Sequence, residues 1–170
     1  MQAVKAERGG NEEGTCFAKQ AKVFFLDGPG GTGKTFLENT LLATVRSLPA
    51  VVEREIRQGI ALGMASSGIA AQLLAGGTTA HSRLKLPLQP DNSSYLNLKA
   101  QDPRAKFIQA ADLIIWDEAP MMDRRLFEAL DRTLRDWMAS YPGQEWREHV
   151  PFGGKVVLFS VSGSARTIVE

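Results

Sequence analysis

The sequence predicts an α/β fold, in which one parallel β-sheet carries helices on both faces, and three observations support this prediction. Short apolar segments that end abruptly at polar residues or glycines recur along the chain. Between them lie segments whose apolar residues repeat at three- and four-residue steps. The length of 170 residues suits one domain with a substantial core. Strands that alternate with helices favour a parallel sheet in three αβα layers, whose ligand site lies beyond the carboxyl ends of the strands.

Four segments have the composition of buried strands. Each is short and almost continuously apolar, as expected for a strand that is covered on both faces of a parallel sheet. The four segments are Lys22–Asp27, Ile60–Ala65, Leu113–Asp117 and Lys155–Ser160.

The first predicted helix spans about Lys34–Ser47 and ends before Pro49. Its apolar side chains are expected to form one face toward the sheet. This face comprises Phe36, Leu37, Leu41, Leu42 and Val45.

Three further helices are predicted downstream. A short helix over Ile69–Leu74 should stop at Gly76 and Gly77, because glycine readily adopts the left-handed conformation that ends helices. A second helix covers Arg104–Ala111, after a loop rich in Pro, Asn and Ser from Leu86 to Pro103. From Asp123 onward, apolar residues again recur at three- and four-residue steps, which predicts an amphipathic helix. Its apolar residues are Leu126, Phe127, Leu130, Leu134, Trp137 and Met138.

Composition limits the kinds of partner. Lys and Arg total 20 against 19 Asp and Glu, so a nucleic-acid contact has to be local rather than a general basic field. The sole cysteine, Cys16, cannot form an intrachain disulfide, which suits a reducing compartment. No apolar run approaches the roughly 18 residues of a membrane span, and the polar start predicts no secretory signal. Residues 1–20 are expected to form a flexible N-terminal segment.

A glycine-rich loop between the first strand and the first helix matches G-x-x-x-x-G-K-[ST] in its required context. Such a loop turns backbone N–H groups toward a polyphosphate at a helix N-terminus. Lys34 should reach the β- and γ-phosphates of ATP, and the Thr35 hydroxyl should bind Mg²⁺. The alternative is a glycine-rich turn, but with Gly at about 7% of residues a chance match is rarer than about one in a hundred. The predicted P-loop is Gly28, Pro29, Gly30, Gly31, Thr32, Gly33, Lys34 and Thr35.

Two acidic residues end the third predicted strand. Asp117 would hold Mg²⁺, through water, and Glu118 would polarise the attacking water during γ-phosphoryl transfer. The alternative is a solvated turn, which describes most Asp-Glu pairs. The P-loop upstream favours the catalytic interpretation, while Trp116 is expected in the core.

Four motifs in order resemble the PIF-type (petite integration frequency) DNA helicases, a family that includes the helicase part of Helitron transposons. The resemblance runs, with gaps, from about Val23 to Phe159. The motifs are Phe24–Thr35, Ala65–Ala71, Gly77–Ser82 and Ile114–Met121. It implies a RecA-like first motor lobe of superfamily one that uses ATP and Mg²⁺ and contacts single-stranded or forked DNA. It also implies unwinding with 5′-to-3′ polarity, an intracellular and, in a eukaryote, nuclear location, and roles in DNA repair, recombination and telomere maintenance.

The same resemblance implies a DNA-binding segment. Its residues are Thr79, His81, Ser82, Arg83 and Lys85, whose hydroxyl, imidazole and cationic groups suit phosphates. The alternative is a polar turn after Gly77. Ser66 and Ser67 are weaker candidates, because serine at such a turn serves as a helix cap at least as often.

The sequence also departs from the family pattern. No upstream segment with an adenine-reading Gln is recognisable, and Ser160–Arg166 replaces the Gly-Asp and Gln of the family's γ-phosphate sensor. A second lobe does not fit in this length, so we expect a partial lobe over residues 21–160 and a divergent tail over 161–170. Two alternatives stay open: a small nucleotide kinase-like enzyme, and a nucleotide-binding remnant without turnover. The kinase would need an arginine-rich lid and an acceptor pocket, which the sequence does not show.

Overall fold

The computed structural model describes residues 22–52 and 55–162. The predicted flexible segment 1–20, Cys16 and all but two residues of the predicted tail lie outside them. The strands are β1 Lys22–Gly28, β2 Pro49–Val52, β3 Glu55–Gln58, β4 Ala61–Ala65, β5 Thr78–Thr79, β6 Leu113–Asp117 and β7 Val156–Ser162. The α-helices are α1 Lys34–Ser47, α2 Gly68–Leu73, α3 Ala80–Leu84, α4 Pro103–Gln109 and α5 Arg124–Ala139. Three 3₁₀ turns lie at Ala119–Met121, Glu145–His149 and Pro151–Gly154.

Five strands form one parallel sheet in the order β1-β7-β6-β4-β5. Two of the three interior strands, β4 and β6, are buried at every position, which explains their nearly continuous apolar sequences. Because all five strands are parallel, the loops after β1, β4, β5 and β6 meet at one edge of the sheet. The predicted parallel α/β sheet is confirmed, but β1 is not the buried strand that was predicted, because it lies at the edge of the sheet and leaves Phe24 and Phe25 more than half exposed.

Helices cover both faces of this sheet in two separate core clusters. Leu62 and Met64 of β4 pack in one cluster with α3, α4 and α5, where Trp116 is fully buried as predicted. Their strand neighbours Ala61 and Ala65 point to the opposite face and pack with α1 and α2. The alternation within one strand thus produces the predicted αβα layers.

Helix α5 forms as predicted. The Asp123 carboxylate accepts a hydrogen bond from the Arg125 backbone N–H at 2.9 Å and caps its first turn. The apolar stripe faces the sheet, with Leu130 and Leu134 fully buried and Phe127 packed beside Trp116.

Helix α1 has the predicted bounds, and its predicted apolar face packs toward the sheet from Leu41 onward, but the first turn does not. Phe36 is 79% exposed and Leu37 is 43% exposed, whereas Leu42 and the acidic Glu38 are fully buried. The P-loop fixes the direction in which the helix starts, and the side chains at 38 and 42 then point to the sheet. The apolar residues of the first turn are exposed to solvent instead.

Three local features differ from the sequence predictions. Strands β2 and β3 form an antiparallel pair outside the main sheet, and α3 follows β5; neither the pair nor this helix was predicted. The last strand begins at Val156, one residue later than predicted, and continues to Ser162. The side chain of Lys155, just before it, donates to the carbonyls of Gln109 and Ala111. Burial lowers the pKa of Lys155 to about 8. Within the described ranges, no helix has both the length and the apolar character needed to cross a bilayer.

Candidate functional site

The P-loop is a compact turn between β1 and α1. Gly31 and Gly33 have φ angles of 79° and 89°, in the left-handed region that favours glycine. The Thr32 hydroxyl donates to the Pro29 carbonyl at 2.8 Å. A Cβ added at Gly28 would lie 3.0 Å from that hydroxyl oxygen, so the close packing favours glycine there. Glycines and one internal hydrogen bond therefore set the shape of the loop.

Lys34 lies at the start of α1 and folds back over the loop. Its Nζ donates to the carbonyl oxygens of Gly28 and Pro29, the latter at 2.9 Å. The ammonium group is thus placed where a polyphosphate cradled by the loop would need a cation. The next residue, Thr35, is half-buried and lines the same cleft of the protein surface as Lys34.

The acidic pair occupies the carboxyl end of β6. Asp117 is 7% exposed, and its Oδ1 accepts a hydrogen bond from the Glu118 N–H at 2.8 Å. Glu118 itself has a left-handed φ of 52°, and its Oε2 accepts a hydrogen bond from the Ser67 hydroxyl at 3.1 Å. Residues other than glycine rarely adopt this conformation. Those that do are found preferentially at functional sites. The turn after β6 holds the two carboxylates in different surroundings.

The two serines after β4 have local partners. Ser67 caps α2 by accepting a hydrogen bond from the Ala70 N–H at 3.2 Å, in addition to its bond to Glu118. Ser66 accepts a hydrogen bond from the Trp116 indole at 3.1 Å. Ser66 therefore supports the core, whereas Ser67 both caps a helix and positions Glu118.

One cleft of about 680 Å³ brings the P-loop and the acidic pair together. Its lining includes Gly30, Gly31, Gly33, Lys34, Thr35, Ser67, Asp117 and Glu118. A threonine hydroxyl and a buried carboxylate are oxygen donors of the kind that Mg²⁺ accepts. Among the described residues no group of three His, Cys, Asp or Glu side chains forms a metal cage. This arrangement fits an ion that completes its shell with water and phosphate oxygens.

Glu38 is a buried acid in this region that the sequence analysis missed. It lies one helical turn after Lys34, is fully buried, and neither carboxylate oxygen has a hydrogen-bond partner in the described structure. Burial raises the pKa of Glu38, and the nearby Asp117 carboxylate raises it further. Ser160 and Lys34 act in the opposite direction, but the Ser160 hydroxyl does not reach hydrogen-bonding geometry. Its four-residue spacing from Leu42 on the sheet-facing side of α1 is the sequence signal that could have found it.

The predicted DNA-binding segment begins two strands away from the acidic pair. Ala65 of β4 pairs with Thr79 on one side and with Asp117 on the other. Two inter-strand spacings place Thr79 about 10 Å from Asp117 along the sheet edge. The Thr79 hydroxyl accepts a hydrogen bond from the Ser82 N–H at 3.3 Å and caps α3, while His81 and Ser82 are exposed.

The two cations of this segment, Arg83 and Lys85, do not line the cleft that holds the P-loop and the acidic pair. Arg83 is half-buried and donates to the Gly76 carbonyl at 3.1 Å. Lys85 ends α3 with a left-handed φ of 51°. Together with Ser82, both line a pocket between α3 and α4, outside the nucleotide cleft. The predicted DNA-binding residues thus form a surface beside the cleft of the P-loop and the acidic pair, and they do not line that cleft.

Comparison with known proteins agrees with this geometry. A family model described as PIF1-like helicase matches residues 12–169. A curated relative, the ATP-dependent DNA helicase PIF1 of Trypanosoma brucei brucei, is 27% identical over 141 residues, which are 83% of this chain and 12% of the relative.

Solved structures show the same relationship. Bacteroides Pif1 bound to single-stranded DNA superposes with a TM-score of 0.63 at 26% identity, covering 89% of this chain and 31% of the other. Pif1 from Bacteroides in complex with ADP-AlF3 and single-stranded DNA gives a TM-score of 0.61 at 26% identity, with 89% and 32% coverage. The chain spans about a third of these solved relatives. The predicted RecA-like motor fold is confirmed, and because the family model covers nearly the whole sequence, the chain belongs to the PIF1-like helicase family.

Proposed function

We propose that this chain is the ATP-binding motor lobe of a DNA helicase, which hydrolyses Mg·ATP and contacts single-stranded DNA. The observation that carries the proposal is the single cleft shared by Lys34, Thr35, Asp117 and Glu118. The family assignment favours this function over a nucleotide kinase, and the Bacteroides relative solved with ADP-AlF3 and single-stranded DNA supports both ligands.

The residues of the cleft divide the chemical work. Lys34 would bind the β- and γ-phosphates, and Thr35 together with Asp117 would hold Mg²⁺, Asp117 through water. The bound ion neutralises charge on the phosphate oxygens. Glu118, held by the hydroxyl of Ser67, would orient a water and accept its proton as the bond from the γ-phosphorus to ADP breaks.

The DNA contact is proposed for the exposed surface of α3. Thr79, His81 and Ser82 lie at the sheet edge beside the nucleotide cleft, and Arg83 and Lys85 add positive charge. One relative was solved bound to single-stranded DNA, and another solved structure concerns DNA unwinding at forked duplex DNA by two coordinating helicases. By this likeness we propose single-stranded or forked DNA as partner, 5′-to-3′ polarity, and an intracellular site of action, nuclear in a eukaryote. DNA repair, recombination and telomere maintenance are the processes in which we would test it first.

Calorimetry with Mg·ATP tests the nucleotide site. Lys34→Ala should abolish measurable binding, whereas Lys99→Ala, an exposed lysine outside the cleft, should leave the affinity unchanged. Glu118→Gln should bind ATP but release phosphate at least about 10²-fold more slowly, as expected for loss of a positioned base. Unchanged affinity in Lys34→Ala would refute the P-loop assignment. Wild-type binding without any phosphate release would instead favour the remnant without turnover.

Fluorescence anisotropy with single-stranded oligonucleotides tests the DNA contact. Binding should weaken steeply with salt, because phosphate contacts release counterions. His81→Ala should lower the affinity, while His149→Ala, which removes the other histidine of the chain, should not. Salt-independent binding, or no binding at low salt, would contradict the proposal.

A further inference from the structure

A second polar pocket, here called the α3–α4 pocket, opens beyond the edge strand β5. Its volume is about 520 Å³, and β5, α3 and α4 supply its lining. The side chains that concern the argument are Thr78, Ser82, Arg83, Lys85, Arg104 and Phe107. Three of these are cations, and no carboxylate lines the pocket among the residues that the structure describes.

The walls of the pocket are fixed by the core beneath it. Ala80 and Leu84 anchor α3, and Ala105 and Ile108 anchor α4, in one buried cluster in which none of the four is more than 1% exposed. The two helices therefore present their outward side chains at a set separation. A preformed site avoids the cost of ordering it on binding.

Arg83 lacks a counter-ion in this pocket. Its only hydrogen bond in the described structure goes to the Gly76 carbonyl, and its Nε is buried without a partner. Burial lowers the pKa of Arg83, and the nearby Arg46 lowers it further. The Thr78 hydroxyl is also buried without a partner. A phosphate oxygen would satisfy such donors with charge-assisted hydrogen bonds.

Phe107 adds an aromatic surface to the same pocket. It belongs to α4, one turn after Arg104, and is 45% exposed. A single exposed phenylalanine is ordinary on a protein surface. This ring, however, shares its pocket with three cations that form no ion pair among the described residues. Proteins bind single-stranded nucleic acid with the same combination, an aromatic ring for the base and positive charge for the phosphates.

We propose that the α3–α4 pocket binds one nucleotide of single-stranded DNA, with its base stacked on Phe107 and its flanking phosphates held by Arg83, Lys85 and Arg104. The inference rests on the proposed DNA contact of α3, which shares Ser82, Arg83 and Lys85 with this pocket. It extends the DNA path from the sheet edge onto α4. Arg104 and Phe107 thereby become binding residues outside all four motifs that carry the family resemblance.

Substitutions at Phe107 test the stacking contact. Phe107→Ala should weaken binding of an oligothymidylate at low salt by about 5- to 150-fold, the range expected for one lost base stack. Phe107→Tyr keeps an aromatic face and should restore most of the affinity. In an oligonucleotide with 2-aminopurine at successive positions, fluorescence should be quenched at one position by the wild type and Phe107→Tyr, but not by Phe107→Ala. Urea denaturation confirms that each variant is folded.

Substitutions of cations on the same helix test the phosphate contact. Arg104→Ala should reduce the slope of log affinity against log salt by about 0.7, the value for one phosphate of a single strand. Lys106→Ala is the matched control, since this exposed lysine lies on α4 outside the pocket lining. It should leave both slope and affinity nearly unchanged.

The outcomes separate this inference from the proposed function. If the wild type binds no single-stranded DNA, both fail. If His81→Ala weakens binding while Phe107→Ala and Arg104→Ala match the wild type, only the α3–α4 pocket is refuted. Calorimetry with free deoxythymidine monophosphate adds a last arm: binding of the mononucleotide as tight as that of the oligonucleotide would overturn the assignment to a DNA strand.

Discussion

Replacement of Glu38 by leucine should stabilise the protein. Glu38 points from α1 toward the sheet, is 0% exposed, and has no hydrogen-bond partner for either oxygen in the described structure. Leucine has a similar volume and would join Leu42 in the apolar cluster between α1 and the sheet. The substitution therefore removes an unsatisfied buried acid without opening a large cavity.

The size of the effect follows from the cost of the buried group. An unsatisfied buried polar group costs about 1–3 kcal/mol, and more when it is charged. We expect Glu38→Leu to raise the free energy of unfolding at pH 8 by about 1–3 kcal/mol. In a chain of this length each kcal/mol corresponds to a rise in Tm of about 2–4 °C.

The gain should grow with pH. Because burial raises the pKa of Glu38 in the folded state above its ordinary value of 4.5, the folded protein holds this proton more tightly than the unfolded chain. The penalty is absent below the unfolded pKa, increases as the pH rises toward the folded pKa, and is constant above it. Glu38→Leu removes this pH dependence, so the two stability curves should diverge upward from about pH 4.5.

Urea denaturation at several pH values measures this difference. Glu148→Gln serves as control, since this acid is exposed and its replacement should change stability by less than about 0.5 kcal/mol. A Glu38→Leu variant that is less stable than the wild type at pH 8 would refute the reasoning. It would show that the carboxylate has a stabilising partner, such as an ordered water.

Three further predictions concern packing, an ion pair and activity. Gly77→Ala should destabilise the protein by about 1–3 kcal/mol in thermal melts, because a Cβ there would lie 2.3 Å from the Ala71 carbonyl oxygen. The control Gly68→Ala, where an added Cβ meets open space, should leave the stability nearly unchanged. Asp112→Asn should lower the free energy of unfolding by about 0.5–1 kcal/mol near neutral pH. Burial alone would raise the pKa of Asp112. Hydrogen bonds from Arg57 and from the Ile60 N–H outweigh burial and lower the pKa below 3.8. The stabilising contribution of Asp112 is complete above its unfolded pKa of 3.8 and is lost as the pH falls through its lower folded pKa. The free energies of unfolding of wild type and variant, measured against pH, should therefore differ mainly above this pH range. Finally, the 170-residue chain assayed alone should hydrolyse ATP slowly, because an arginine finger from a second lobe is worth about 10³–10⁵ in rate. It should not unwind duplex DNA, and robust strand displacement by the monomer would contradict this prediction.

The sequence predicted the elements that obey a one-dimensional pattern. β6 is a continuous apolar run and α5 repeats its apolar residues at helical spacing, and both formed with nearly the expected bounds. The P-loop was recognisable because its chemistry requires glycines, Lys34 and Thr35 at fixed positions between a strand and a helix. Placement of Asp117 in the same cleft followed from the rule that parallel strands bring their carboxyl ends together.

Features that depend on the orientation of an element were not predictable in this way. The same apolar residues of α1 are compatible with several rotations about the helix axis, and only the docking of the P-loop decides that Glu38 is buried while Phe36 is exposed. The hydrogen bond from Ser67 to Glu118 joins residues 51 positions apart and leaves no local pattern. The pocket between α3 and α4 likewise needs two helices that are separated by a long loop in the sequence.

The order of the strands explains why the proposed nucleotide and DNA surfaces are neighbours. β4 separates β6 from β5, and Ala65 pairs with both Asp117 and Thr79, so hydrogen-bonded ladders fix the separation of the two surfaces. Ser67, directly after β4, contacts Glu118 on the nucleotide side and begins α2, which leads through the tightly packed Gly77 into β5. Any movement of α3 on a DNA strand therefore has to be absorbed either within the short β5 or by α2. Because Ser67, which caps α2, also holds Glu118, the second route would alter the position of the group that we propose orients the attacking water.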